Sequence, residues 1–225
     1  MRILLIRHEK SINNELIEKS YDLYLKQRNN DPDISKEGQE RCELLGKFLK
    51  DNNIKINKFY SSLHLRTLKT MTYISNIYDP NKKIPRECFY EIFEMGGIYL
   101  NEKGYPGMNK EKILNLFPDL IIKDEYDIKD GWYKSDKKES NEEFKQRVKK
   151  VINLLKEMAI KENEDYTICC ITHALFLNTF FSLLNGIDYY NENISFNVEN
   201  LSISSLTINK DKKLNIDFIN FSIFK

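Results

Sequence analysis

Met1-Arg2-Ile3-Leu4-Leu5-Ile6 is a short run rich in Leu and Ile that stops abruptly at Arg7-His8. Such a run reads as a buried strand. A histidine preceded by arginine at the C-terminal tip of that strand stands where open α/β sheets place their ligands. An arginine fork there clamps a phosphate in two-toothed fashion, and a histidine beside it is able to attack phosphorus. One Arg-His pair could merely cap a strand. This chain, however, repeats the arrangement at the ends of later apolar runs.

Strands are expected at about 2–6, 56–60, 166–172, 200–208 and 214–221, the last two as a hairpin around Lys210-Asp211-Lys212-Lys213. Ile168-Cys169-Cys170-Ile171 is continuously apolar, as in a strand covered on both faces. Helical periodicity covers 36–52 behind the N-cap Ser35, about 65–78, about 140–161 behind the capping box Ser140–Glu143, and about 174–184. Strand and helix alternate. The expected fold is therefore α/β, a three-layer α/β/α sandwich around a mostly parallel sheet. The segment 84–135 holds Pro85, Gly96-Gly97, Pro106-Gly107, Pro118 and Gly131 and lacks a strong period, apart from a short helix near 109–116. It is expected to be an inserted lid or substrate segment within a single domain spanning 1–225.

A net charge of +1 gives no argument for nucleic acid or a membrane surface as partner. No apolar run approaches membrane-spanning length, and no leader pattern precedes the first strand. The four cysteines, Cys42, Cys88, Cys169 and Cys170, show no CxxC spacing. With only three histidines, the chain argues against a zinc site and for a reduced, cytoplasmic protein. Cys169 and Cys170 are expected in the core.

Each strand end carries phosphate-type chemistry: Arg7, His8 and, further on, Asn14; then Ser61-Ser62-Leu63-His64-Leu65-Arg66-Thr67; then Thr172-His173-Ala174. Parallel strands bring these ends to one edge. Two arginines and two histidines converging there form an anion pocket, to which the following helix N-termini add donors.

These residues resemble the histidine phosphatase superfamily, which contains cofactor-dependent phosphoglycerate mutases and fructose-2,6-bisphosphatases. Leu5-Ile6-Arg7-His8-Glu9-Lys10-Ser11 through Asn14 is similar to its Arg-His-Gly opening motif. Ile34-Ser35-Lys36-Glu37-Gly38 resembles its Leu-Thr-x-x-Gly helix start, and Tyr60-Ser61-Ser62 to Arg66-Thr67 its Ser-Ser-Pro-Leu-x-Arg-Ala element. Glu139-Ser140 with Arg147-Val148, Thr172-His173-Ala174 and Asn200-Leu201-Ser202-Ile203-Ser204 continue the likeness in order along the chain.

The resemblance implies a phosphoglycerate mutase-like fold and a phosphomonoester hydrolase. Its substrate would be a small phosphorylated metabolite and its intermediate a phosphohistidine, without metal or cofactor. It makes His8 the nucleophile. Arg7, Arg66 and His173 would hold phosphoryl oxygens, and Asn14 would add a hydrogen bond. A carboxylic acid from the lid would protonate the leaving oxygen; Glu94, in Glu94-Met95-Gly96-Gly97, is preferred to Glu91. The alternatives are mutase-type phosphoryl transfer and a catalytically impaired binding or scaffold relative. A homodimer is left open.

His64 is expected as a surface residue at a helix start, and Trp132 and Tyr133 as packing between lid and body. Ser61 and Ser62 are expected either on phosphate or capping the next helix. Glu9 and Lys10 depart from the family pattern, which has a small residue and then an acid. A carboxylate at position 9 would repel phosphate if it faced the pocket, and would be harmless if it turned away to pair with Lys10 or another base.

Overall fold

The computed structural model describes residues 1–100, 103–187 and 195–224. Its centre is a seven-stranded sheet of order β6-β3-β2-β7-β1-β8-β9. The strands are β1 (Arg2–Arg7), β2 (Lys58–Ser61), β3 (Arg86–Cys88), β6 (Leu120–Ile121), β7 (Thr167–Thr172), β8 (Ile203–Ile208) and β9 (Leu214–Phe221). A separate antiparallel pair joins β4 (Tyr99–Leu100) to β5 (Lys103–Gly104). The run from β6 to β1 is parallel; β8 and β9 are antiparallel.

Alternation along the strands builds two cores. Leu4 and Ile6 of β1 and Cys169 and Ile171 of β7 face one of them, which contains α3 (Lys36–Asp51) and α4 (Leu65–Tyr78). Ile3, Leu5, Ile168 and Cys170 face the other, against α6 (Asn141–Lys161) and α7 (Ala174–Leu184). The central strands are thus apolar on both faces, as a parallel sheet between helical layers requires. The two adjacent cysteines are core residues on opposite faces. Among the described residues no helix is long and apolar enough to cross a membrane.

Two features were not legible beforehand. Residues 12–27 form two short helices, α1 (Ile12–Lys19) and α2 (Tyr21–Gln27), capped by Ser11 and Ser20. Neither buries a residue, and helices of eight and seven residues are too short to show a sustained period. The segment 84–135 contains α5 (Lys110–Leu116) and also adds β3 and β6 to the sheet edge. Strands of three and two residues are too short to display a period.

In register, Arg7 lies opposite Thr172, and Ser61 opposite Ile171 and Cys88. Four of the five parallel strands, β1, β2, β7 and β3, therefore discharge His8, Ser62, His173 and the loop after β3 at one edge. Antiparallel β8 begins at the same edge, where Leu201 N–H donates to the Arg7 carbonyl and the Asn200 side chain to that of His8.

α3 and α4 meet closely at Gly46, where a Cβ would stand 2.5 Å from the Ile74 carbonyl oxygen. Since backbone cannot yield there as a side chain would, Gly46→Val should cost about 1–3 kcal/mol by overpacking. Urea unfolding of wild type and variant measures this directly, and equal midpoints would contradict the packing.

Candidate active site

His8 is almost fully buried at the tip of β1. Its Nδ1 lies 2.6 Å from the carbonyl oxygen of Glu9, and its Nε2 lies 3.2 Å from Arg66 Nε. A carbonyl only accepts and a guanidinium only donates, so Nδ1 carries the proton and Nε2 the lone pair. Burial, and then Arg66 and Arg7, push the His8 imidazole well below its ordinary pKa. The ring is therefore neutral at pH 7, with Nε2 available.

His173 is fully buried at the tip of β7, its ring centroid 5.1 Å from that of His8. Its Nε2 is 2.8 Å from Ser62 Oγ, which is also 2.8 Å from Thr67 Oγ1. Thr67 in turn bonds the carbonyls of Ser62 and His64. The proton order satisfying every partner runs from His173 Nε2–H to Ser62, Thr67 and the backbone. It leaves the Nδ1 lone pair facing Glu94 Oε2 at 4.0 Å. Neither alternative expected for the serines describes Ser62, which orients a histidine; Ser61 Oγ donates to the Ser62 carbonyl.

His64 is not at the surface. It is buried, with ring centroids 4.7 Å from Trp132 and 4.6 Å from His173. It precedes α4 without capping it through its side chain. Its position between the sheet edge and Trp132, itself fully buried, draws it inward. Burial, and then Arg66, hold its pKa well below the ordinary value. The sequence signal available for it was its place between Ser62 and Arg66 in the phosphate element.

Arg7 and Arg66 are the nearest cations. Arg7 Nη1 donates to the Val198 carbonyl at 2.7 Å, while its Nε is buried without a partner. Arg66 is 3.9 Å from Asp31, whose carboxylate also accepts from the Leu65 N–H at the start of α4. Burial raises Asp31 to a pKa of about 6. Asp31 was missed in the sequence, where nothing distinguishes it from other loop acids. Asn14 lines the same cavity. Its side-chain oxygen accepts from Ser11, so its amide N–H groups are what it can offer a ligand.

Glu94 lines the cavity from the loop after β3, whereas Glu91 pairs with Lys150 at 3.1 Å and is not part of the wall. Burial raises the Glu94 pKa against the pull of Arg66, which favours the acid form. Its loop is held by Arg147, which donates to the carbonyls of Glu91 and Phe93 at 2.6 and 3.0 Å and lies 3.4 Å from the Phe93 ring centre. Arg147 is fixed by a two-pronged pair with Glu139, both contacts 2.7 Å, and Glu139 accepts from Gly96 N–H.

The Glu9 carboxylate turns away from the cavity. It accepts from the Lys10 N–H at 2.6 Å and pairs with Arg41 of α3 at 3.1 Å. Gly38 makes room for it, since a Cβ there would stand 2.6 Å from Glu9 Cγ. Lys10 pairs with Glu18 instead.

Arg7, His8, Arg66 and Glu94 thus share one cavity of about 300 Å³, with His173 directly behind His8. A lone-pair nitrogen, arginine forks and a carboxyl whose acid form burial favours can attack phosphorus, hold its oxygens and protonate a leaving group. Such a fold and site define the phosphoryl-transfer class. The histidine phosphatase superfamily (branch 1) family matches residues 3–220, so the chain belongs to that family and is a phosphatase enzyme. Among solved structures it is similar to the α-ribazole phosphatase of Shigella flexneri, at 17% identity and a TM-score of 0.62, over 98% of this chain and 96% of that one. It is also similar to the ecdysone phosphate phosphatase of Bombix mori, at 14% and 0.66, over 100% and 95%. For the phosphoserine phosphatase of Entamoeba histolytica the figures are 18% and 0.60, over 99% and 98%. No curated protein matches the chain in sequence.

Three histidines buried neutral oppose folding in acid, because the unfolded chain takes up their protons first. Each contributes stability present above its unfolded pKa of about 6.5 and lost as pH falls toward the folded value. His64→Leu should therefore flatten the fall of stability below about pH 6.5 by up to about 1.4 kcal/mol per pH unit. Urea titrations at several pH values test it; parallel slopes would show that His64 does not stay neutral in the folded state.

Proposed function

We propose that the protein hydrolyses a small phosphomonoester through a phosphohistidine on His8, without a metal ion. The observation carrying this reading is the His8 ring itself: Nδ1 tied to the Glu9 carbonyl, Nε2 unprotonated, and Arg66 on that nitrogen.

In the first step the Nε2 lone pair forms a bond to phosphorus as the ester P–O bond breaks. Arg66 shifts its donors from Nε2 to the phosphoryl oxygens, where Arg7 and the Asn14 amide join it. Charge developing on those oxygens meets donors already in place. Glu94 Oε2 faces His173 Nδ1 at 4.0 Å, and burial favours the acid form of Glu94. The Glu94 proton passes to the leaving oxygen, which departs as an alcohol and leaves Glu94 as the carboxylate. In the second step the Glu94 carboxylate takes a proton from water. The water oxygen bonds to phosphorus, the P–N bond breaks, and inorganic phosphate and the neutral ring result.

The similar folds named for phosphatases of α-ribazole phosphate, ecdysone phosphate and phosphoserine support a small-molecule ester as substrate. The outward turn of Glu9 removes the repulsion that would have favoured an impaired scaffold relative.

His8→Ala should abolish turnover of nitrophenyl phosphate while changing stability by no more than about 1–2 kcal/mol, and a chelator should leave wild-type turnover unchanged. Substantial activity in His8→Ala would remove His8 from the nucleophile role.

Glu94→Gln should slow a sugar phosphate on the order of 10²-fold and nitrophenyl phosphate clearly less, since a good leaving group needs little proton transfer. Equal losses on the two esters would exclude Glu94 as the acid.

A further inference from the structure

His64 is a buried imidazole that takes no part in the reaction described for His8. It is 1% exposed and shares the wall of the His8 cavity with Glu94 and Gly97. Its Nδ1 is buried without a partner. An apolar side chain of similar size would fill the same space without leaving a buried nitrogen unsatisfied. Nor does His64 serve the helix it precedes, since its side chain caps nothing in α4. Packing and capping therefore leave this residue unexplained.

What distinguishes the ring is the set of segments it joins. It meets Trp132 edge-on, at 4.7 Å and an interplanar angle of 63°, and His173 in the same manner, at 4.6 Å and 67°. A hydrogen bond to the Gly97 backbone opposes the lowering of its pKa by burial and Arg66. Only an accepting group favours the protonated ring, so Gly97 contributes its carbonyl and the ring donates. With Nδ1 unpartnered, Nε2 is the donor. Gly97 closes the turn that carries the acid. Its N–H donates to the Glu94 carbonyl at 3.0 Å, and the Met95 N–H donates to the Glu94 carboxylate at 3.0 Å. The turn is also packed tightly on the lid, because a Cβ at Gly97 would stand 2.0 Å from the Tyr133 ring. Arg147 and Glu139 tie this loop to the start of α6. His64 ties it to the segment bearing Ser62, which orients His173, and Arg66, which meets His8.

We propose that His64 is a positioning residue for the general acid: through Gly97 it holds the Glu94 turn in register with His173 and Arg66. This inference rests on the phosphatase reading, with Glu94 as the acid. Proton donation depends steeply on the placement of the donor, and here the donor sits on a loop that needs support. His64 acts through the backbone of that loop and needs no contact with the substrate.

The test compares a sugar phosphate with nitrophenyl phosphate on the full chain carrying His64→Leu, Glu94→Gln or both. His64→Leu keeps an apolar side chain against Trp132 and loses the N–H. It should lower kcat for the sugar phosphate by about 10- to 100-fold, the effect of misplacing a reacting group by up to about 1 Å. Nitrophenyl phosphate should lose clearly less, since a good leaving group needs little proton transfer, and KM should change little for either ester. Added to Glu94→Gln, His64→Leu should slow the sugar phosphate hardly further, because no acid is left to position. His64→Gln, which offers an amide N–H to the Gly97 carbonyl, should keep most of the sugar phosphate rate. Urea unfolding checks that each variant is folded; if His64→Leu is not, His64→Met, whose unbranched chain adapts to irregular gaps, takes its place. Equal losses on the two esters, full additivity with Glu94→Gln, or His64→Gln as slow as His64→Leu would overturn the role. If Glu94→Gln itself does not separate the esters, the acid assignment falls and the role of His64 with it. If Glu94→Gln separates them and His64→Leu does not, His64 alone is ruled out and the phosphatase reading stands.

Discussion

The hydrogen bond from His8 Nδ1–H to the carbonyl oxygen of Glu9 is the contact on which the site depends. It uses backbone, so it persists whatever side chain occupies position 9. It fixes the ring orientation and leaves one nitrogen with a lone pair. Burial then keeps that nitrogen unprotonated at neutral pH. Every other group has its function relative to it: Arg66 donates to Nε2, His173 stands behind the ring, and Glu94 faces His173. The Asn200 side chain, at the start of an antiparallel strand, ties the His8 carbonyl to the same edge.

Around this centre the fold converts distant segments into rigid supports. Register between β1, β7 and β2 places three strand ends together, so geometry at the site is inherited from ladder hydrogen bonds. The acid comes from a loop, which by itself would be less well placed. Arg147 and Glu139 compensate by fastening the loop backbone on both sides of Glu94. Their mutual pair is nearly buried and two-pronged, the geometry in which such a pair holds most firmly. The exchanged charges at positions 9 and 10 are absorbed in the same manner: Glu9 is housed under α3 by Gly38 and Arg41, away from phosphorus.

Much of this was legible because it obeys period or position. The apolar runs of β1 and β7, the stripe of α6 and the chemistry at strand ends follow from local sequence, and with them Arg7, His8, Arg66 and His173. What escaped depends on contacts between segments. α1 and α2, eight and seven residues long, are too short to show a sustained period, although Ser11 and Asn14 form a capping box. β3 and β6 are too short to show alternation. His64 looked like a polar helix start, but Trp132, 68 positions later in the numbering, closes over it. Asp31 acquires its meaning only beside Arg66. Ser62, backed by Thr67 of its own segment, acquires its role only beside the distant His173.

The most direct measurement is to trap the intermediate. Wild-type protein mixed with a phosphomonoester and quenched in base, which preserves phosphorus–nitrogen bonds, should yield up to one phosphoryl group per chain. Peptide mapping should place it on Nε2 of His8, since Nδ1 is committed to the Glu9 carbonyl. A phosphoryl group on His64 or His173, or turnover with no phosphorus–nitrogen bond at any quench time, would contradict the account.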